Sequence, residues 1–306
     1  MGTESWLTVR SLVCHRDVDM AIACLGSMLK LSSESIRLVI HDDGSLTPED
    51  MERLVHELEN CHVVSREEAN DRVSQQIKNY PNCTRYRYEQ AYSLKLLDIP
   101  LLSEGDIAYC DSDVLFLKPF TGLFHLSDPD VSAAFMMDCR EAYSILPWHL
   151  MGANRIKLPS KVNVGLIFLR KQAHDLDFLE WCLSDSNREF KSIPNWIEQT
   201  CWAALGQRVG CQLWNPKQVV LVQSHKSITD EVVAAHFVST VRGLLWEFYH
   251  QIQISNEARS PVSIDTIPAK DCDLLALSHS LLRHRLGGVK HRALKTLQKG
   301  YKASWE

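Results

Sequence analysis

Asp106-Ile107-Ala108-Tyr109-Cys110-Asp111-Ser112-Asp113-Val114-Leu115-Phe116 is the stretch on which the reading of this chain turns. Ile107 to Cys110 reads as a buried strand, and a second apolar run begins at Val114. Between the two stand carboxylates at i and i+2. In extended backbone those positions point to the same side. Two carboxylates leaving one strand end together repel unless a cation lies between them, and a hard divalent ion with oxygen ligands is the natural guest. The Asp-x-Asp pattern alone is common, recurring at Asp17/Asp19, Asp128/Asp130, Asp175/Asp177 and Asp271/Asp273. Those pairs lie in polar, turn-like or helix-start contexts, where capping, turns and solvated charge are the expected roles. Apolar strand on both sides singles out Asp111 and Asp113.

Upstream of this stretch, strand and helix signals alternate. Leu7–Cys14 is strand-like. Val18–Leu31 has helical apolar spacing with Asp17 as a cap, and Ile36–Ile40 is a short β-branched run. His41-Asp42-Asp43-Gly44-Ser45 punctuates the chain. Thr47 and Pro48 start a helix to about Leu58. Val63–Val64 is a strand, Ser65 to Glu68 fits a capping box, and Tyr88–Leu102 reads as one helix feeding the strand at Asp106. This order predicts an α/β fold with a mostly parallel central sheet flanked by helices. Ligands of such sheets bind at the carboxyl ends of strands, where Asp42, Asp43, Asp111 and Asp113 all fall.

Downstream the pattern is mixed and predicts a smaller mixed extension. Strands are expected at Val131–Met137, Val162–Leu169, Val219–Val222 and Val232–Val238. Helices are expected at Leu176–Leu183 and Trp196–Leu205. No linker or repeat divides the chain, so residues 1–282 read as one catalytic unit. Residues 283–306 read as a basic helical tail with Leu286, Val289, Leu294 and Leu297 on its apolar side. Its expected role is to end the fold as a solvated helix, with membrane contact the lesser alternative.

Composition narrows the classes. A net charge of −5 gives no push toward nucleic acid. No apolar run is long enough for a bilayer, and the N-terminus lacks the basic and apolar regions of a signal peptide. The ten cysteines form no Cys-x-x-Cys pair. Reduced core thiols in a cytoplasmic protein are the expectation, and the Asn82-Cys83-Thr84 sequon then carries no sugar.

Taken together, the blocks from Leu7 to Trp246 resemble GT-A-fold, nucleotide-sugar-dependent glycosyltransferases, in particular the family 8-like retaining enzymes that include galactosyl- and glucosyltransferases and glycogenin. The resemblance implies a GT-A, Rossmann-like fold. It implies that Asp111 and Asp113 hold Mn²⁺ or Mg²⁺, which holds the donor diphosphate, with Asp111 and Ser112 also near the donor. A third ligand, a histidine in a His-Phe pair after a late strand, matches His236. An imidazole beside two carboxylates suits Mn²⁺ better than Mg²⁺.

The rest of the site follows from the same likeness. Lys95 and Arg242 are the cations for the phosphates, because breaking a sugar–phosphate bond leaves charge on the β-phosphate. The family's Gly-x-x-Lys-Pro-Trp-like ending is replaced by Arg242-Gly243-Leu-Leu-Trp246, with Gly287-Gly288-Val-Lys290 as another phosphate loop. Cys14, His15, Asp42 and Asp43 occupy the nucleotide positions, where a carboxylate accepts from a base N–H or a ribose hydroxyl. Asn163 and Gly165 match the Asn-x-Gly sugar strand. Gly165 lets backbone approach the ligand, and Asp138 offers another hydroxyl contact. Glu198 and Gln199 match an acidic-Gln pair near the anomeric carbon. Trp148 and Trp196 are assigned to packing, with sugar stacking the alternative.

The expected reaction moves a hexose from a nucleotide diphosphate sugar, UDP-hexose by analogy, to a hydroxyl acceptor with retention. An inverting GT-A enzyme using Glu198 or Asp138 as base is the first rival. A nucleotidyltransferase is disfavoured because Leu7–Ser27 has no Gly-rich triphosphate loop. A non-catalytic carbohydrate- or protein-binding module on the same fold is the rival of another class.

Overall fold

The structure, a computed structural model, describes residues 6–151, 157–184, 193–254 and 260–286. The first half alternates as the sequence predicts: β1 (Leu7–Val13), α1 (Val18–Leu31), β2 (Ile36–Asp42), α2 (Pro48–Glu57), β3 (Cys61–Val64) and α3 (Arg66–Ile77). Thr47 and Asp50 cap α2 reciprocally around Pro48, and Ser65 accepts from the Glu68 N–H to start α3.

The single helix expected over Tyr88–Leu102 is instead three pieces, α4 (Pro81–Glu89), α5 (Ser93–Leu96) and α6 (Asp98–Leu102). The Ser93 hydroxyl reaches the carbonyls of Arg87 and Gln90, which a continuing helix would use. Pro100 has no N–H to offer Leu96. The buried Arg87 guanidinium grips Asp98 through two bonds of 2.7 and 2.6 Å, fixing α6 against α4. The break matters because α5 carries Lys95.

The chain continues through β4 (Ile107–Cys110), β5 (Val114–Phe116), β6 (Phe120–Thr121), β7 (Ala133–Met137), β8 (Val162–Leu169), α7 (Leu176–Leu183) and α8 (Ile197–Val209). Then come β9 (Cys211–Trp214), β10 (Val219–Leu221), β11 (Ala234–His236), α9 (Arg242–Ile254), β12 (Val262–Ser263) and β13 (Thr266–Pro268). The sequence reading did not foresee α9, β9 or β13, and it drew β11 too long. A helix over 274–286 packs Leu277 and Leu281 into the core and crosses the expected boundary after residue 282. The rest of the basic tail, with Val289, Leu294, Leu297 and the Gly287–Lys290 loop, lies outside the described residues.

The central sheet has eight strands in the order β13-β9-β7-β8-β4-β1-β2-β3. β3, β2, β1 and β4 run parallel, β8 runs antiparallel to β4, and a small β10-β11-β5 sheet stands beside them. Both faces are covered, and β4 shows it residue by residue. Ile107 and Tyr109 face the core beneath α4, α7 and α8, whereas Ala108 and Cys110 face the core beneath α1. The Asn82 amide is spent on Glu180 at 2.6 Å.

Candidate active site

The parallel pairing of β1, β2 and β4 puts their carboxyl ends on one rim. Antiparallel β8 brings its starting residues Asn163, Val164 and Gly165 to the same rim. A cavity of about 690 Å³ opens there. Of the residues expected from sequence, Cys14, Asp43, Lys95, Asp111, Ser112, Asp113, Asn163, Gly165, Glu198, Gln199, His236 and Arg242 line it.

Strand register brings the distant histidine to the acids. β11 pairs antiparallel with β5 so that His236 stands opposite Val114, the residue after Asp113, and the Phe237 N–H donates to the Asp113 carbonyl. His236 Nε2 lies 3.0 Å from Asp113 Oδ1 and 3.7 Å from Asp111 Oδ2. Ligand atoms of Asp111, Asp113 and His236 lie within 4.8 Å of one another, and it is the one such cluster among the described residues. The set of two carboxylates and an imidazole fits a divalent cation. The other imidazole nitrogen, Nδ1, lies 3.1 Å from Asn163 Oδ1. With Nδ1 donating there, Nε2 is the nitrogen turned toward the two carboxylates, the usual arrangement of a metal-binding histidine.

Gly165 completes the fit. β8 bulges at 164–166 against β7, and the Gly165 carbonyl accepts from the Asp111 N–H at 2.7 Å. A Cβ on Gly165 would sit 2.3 Å from His236 Nδ1. The glycine therefore makes room for the imidazole, a packing demand that the sequence reading had assigned to ligand approach.

The electrostatics separate the two acids. Burial alone pushes Asp113 up, but His236 and Arg242 outweigh it and hold the carboxyl at about 2. Burial pulls His236 down, and Asp113 more than reverses that. Asp111 accepts from Lys95 at 3.1 Å and from the Tyr109 hydroxyl. Lys95 is buried, donates also to the Val164 carbonyl, and lies 3.9 Å from Glu198 Oε1. Glu198 is buried in the first turn of α8, and its Oε1 makes no hydrogen bond. Burial pushes its carboxyl up to about 7, with Lys95 partly offsetting.

Three expected residues stand outside the cavity lining. Asp42 turns into the protein and accepts from the N–H groups of Gly44, Leu46 and Arg66. His15 faces solvent and pairs with Asp50 at 2.5 Å. Asp138 accepts from the Arg140 N–H and lies 3.5 Å from the Asn163 amide. Asp43 reaches the cavity, though one of its oxygens is held by Ser45. Gln199 donates to the Ala142 carbonyl. Trp148 is exposed rather than packed, whereas Trp196 is partly buried under Arg140.

The sequence reading missed several lining residues, among them Asp17, Tyr92, Tyr109 and Ser239. Tyr109 was legible, since it sits two residues before Asp111 in a strand. Asp17 was read as the cap of α1, but its side chain makes no capping bond and pairs with Arg242 at 3.2 Å. Ser239 adopts φ +54°, the conformation that favours glycine. Arg242 follows this turn by three residues and reaches the cavity from it.

Neither family models nor the sequences of curated proteins give a match. Solved structures do, and they establish that the chain has the GT-A glycosyltransferase fold. It is similar to the galactosyltransferase LgtC, solved with donor and acceptor sugar analogs, at 12% identity and TM-score 0.53, over 82% of this chain and 98% of that one. It is similar to mouse xyloside xylosyltransferase 1 at 10% identity and TM-score 0.54, over 78% of this chain and 99% of the other. The glycosyltransferase GlyE of Streptococcus pneumoniae TIGR4 matches at 12% identity and TM-score 0.51, over 81% of this chain and 62% of its own.

Proposed function

We propose that this protein is a metal-dependent glycosyltransferase that moves a hexose from a UDP-sugar to a hydroxyl acceptor with retention. The observation that carries the reading is the convergence of Asp111, Asp113 and His236 in one cavity at the rim. These residues would hold Mn²⁺ or Mg²⁺, which when bound neutralises charge on the departing diphosphate. Arg242 and Lys95 add positive charge on the same side. In the reaction the bond from the anomeric carbon to the β-phosphate oxygen breaks, and the acceptor oxygen bonds to that carbon. In retention the acceptor proton passes to the departing phosphate. In this reading Cys14 and Asp43 would contact the nucleotide, and Asn163, Glu198 and Gln199 the sugar, since all five line the cavity.

One observation favours a second reading. Glu198 is buried, lines the cavity, has an unbonded oxygen and is pushed up to about 7. A carboxylate of that kind suits a general base, which inversion requires. The anomeric configuration of the product, read by NMR, decides between the two.

The decisive experiment is a thermal-shift screen of nucleoside diphosphates and nucleotide sugars with and without Mn²⁺. Stabilisation by UDP or a UDP-hexose only when Mn²⁺ is present supports the reading, and no response to any nucleotide sinks it. Among the described residues no helix is long and apolar enough to cross a membrane. All ten cysteines are free, which supports a reducing compartment, the cytoplasm, as the place of action.

A further inference from the structure

The Arg242 guanidinium bridges two carboxylates that the fold brings from far apart. Nε and Nη2 donate to Asp113 Oδ2 at 3.1 and 2.8 Å, while Nη1 reaches the Asp17 oxygens at 3.4 and 3.2 Å. Asp113 Oδ2 is the oxygen that His236 leaves free, since His236 Nε2 faces Oδ1. The left-handed turn at Ser239 is what lets His236 and Arg242, six residues apart, both reach Asp113. All these residues line the same cavity.

We propose that Arg242 is an internal counter-ion of the metal site, and that Asp17 is a positioning residue that draws its guanidinium partly off Asp113, so that metal and nucleotide bind cooperatively. This rests on the metal reading above. A divalent cation at Asp113 meets a carboxylate already half neutralised, with a fixed positive charge beside it. Metal alone therefore binds against repulsion. A nucleoside diphosphate supplies the anion that both cations need, and Arg242 turns from opponent to partner. Asp17 shares the guanidinium between two seats and so weakens its hold on Asp113. Arg242 is about one-third exposed, so it has room to move and its field is partly screened.

The test measures Mn²⁺ affinity by isothermal titration and electron paramagnetic resonance, with and without UDP. Melting in EDTA first confirms that each variant is folded. R242Q is expected to bind Mn²⁺ alone about fivefold more tightly and to lose most of the enhancement by UDP, on the scale of a modest coupling. D17N is expected to move the other way, binding Mn²⁺ alone about threefold more weakly, because Arg242 then rests on Asp113 only. The two variants fold or fail independently, so either sign alone tests the idea. Wild-type binding of Mn²⁺ with no gain in R242Q, or with no loss in D17N, overturns the counter-ion role and leaves the metal reading standing. Wild-type protein that binds no Mn²⁺ even with UDP overturns both.

Discussion

Asp42 and Asp113 lie near the same rim of the sheet, each at or just beyond the end of a strand, and they serve opposite ends. Asp42 spends its oxygens on three backbone N–H groups, two of its own loop and one at the start of α3. Asp113 spends none on its loop; its partners are side chains from the far end of the chain, His236 and Arg242. The histidines of the two regions differ in the same way. His41, at the end of β2, faces the Arg10 guanidinium at 2.9 Å, and burial drives its pKa down to about 3. His236, buried as deeply, is driven up by Asp113 against the pull of burial. The Asp42 loop uses charge to hold backbone, whereas Asp113 uses charge to hold charged side chains.

This contrast breaks most visibly at Asp113 and His236, under the proposed metal-dependent reaction. H236A and D113A should each lower transfer activity by roughly 1,000-fold, the scale of a lost electrostatic contribution in a site of this kind. Mn²⁺-dependent UDP binding should vanish with it. Activity that survives either change within tenfold would place the chemistry elsewhere.

D42A tests the other half. It removes a buried acceptor from three N–H groups and should cost about 3 kcal/mol in urea unfolding. Metal affinity of the folded protein should stay as in wild type. A lost UDP or metal affinity with unchanged stability would erase the distinction drawn here.

The contrast between the histidines can be sharpened with pH. His41 is depressed in the fold, so the unfolded chain binds the extra proton as pH falls below its ordinary value. Stability is therefore full above about pH 6.5 and is lost progressively toward about pH 3. Between pH 6.5 and 5 the loss from this residue is about 2 kcal/mol. H41N should flatten the slope of urea midpoint against pH in that window, and an unchanged slope would clear His41 of the effect. The smallest effect is expected from H15A. Its imidazole is exposed, and neither melting temperature nor UDP affinity should move measurably.

How much of this was legible follows from the range of the forces involved. Asp111 and Asp113 could be read because an apolar strand announces itself locally. Helix α1 was read to its bounds because its apolar spacing is local too. The single helix over Tyr88–Leu102 was misread because its apolar spacing continues past Ser93 and Pro100, while the Ser93 bonds and the Arg87–Asp98 pair that break it depend on side-chain choices the spacing does not show. Asp42 and Asp43 cannot be told apart by sequence, since an Asp-Asp-Gly loop can turn either one inward. Asp17 looked like a cap because a carboxylate before a helix does, and its partner lies 225 residues away. His236 was found through the likeness of a His-Phe pair, because one strand histidine among thirteen gives no local sign of its partners.

The gap between Gly165 and the His236 ring ties two separate stretches of gene to one fate. While the imidazole stays, position 165 is closed to every side chain; once it goes, alanine or serine is admitted freely. The order of change is therefore constrained: a side chain at 165 becomes admissible only after the ring at 236 has been replaced by a smaller group.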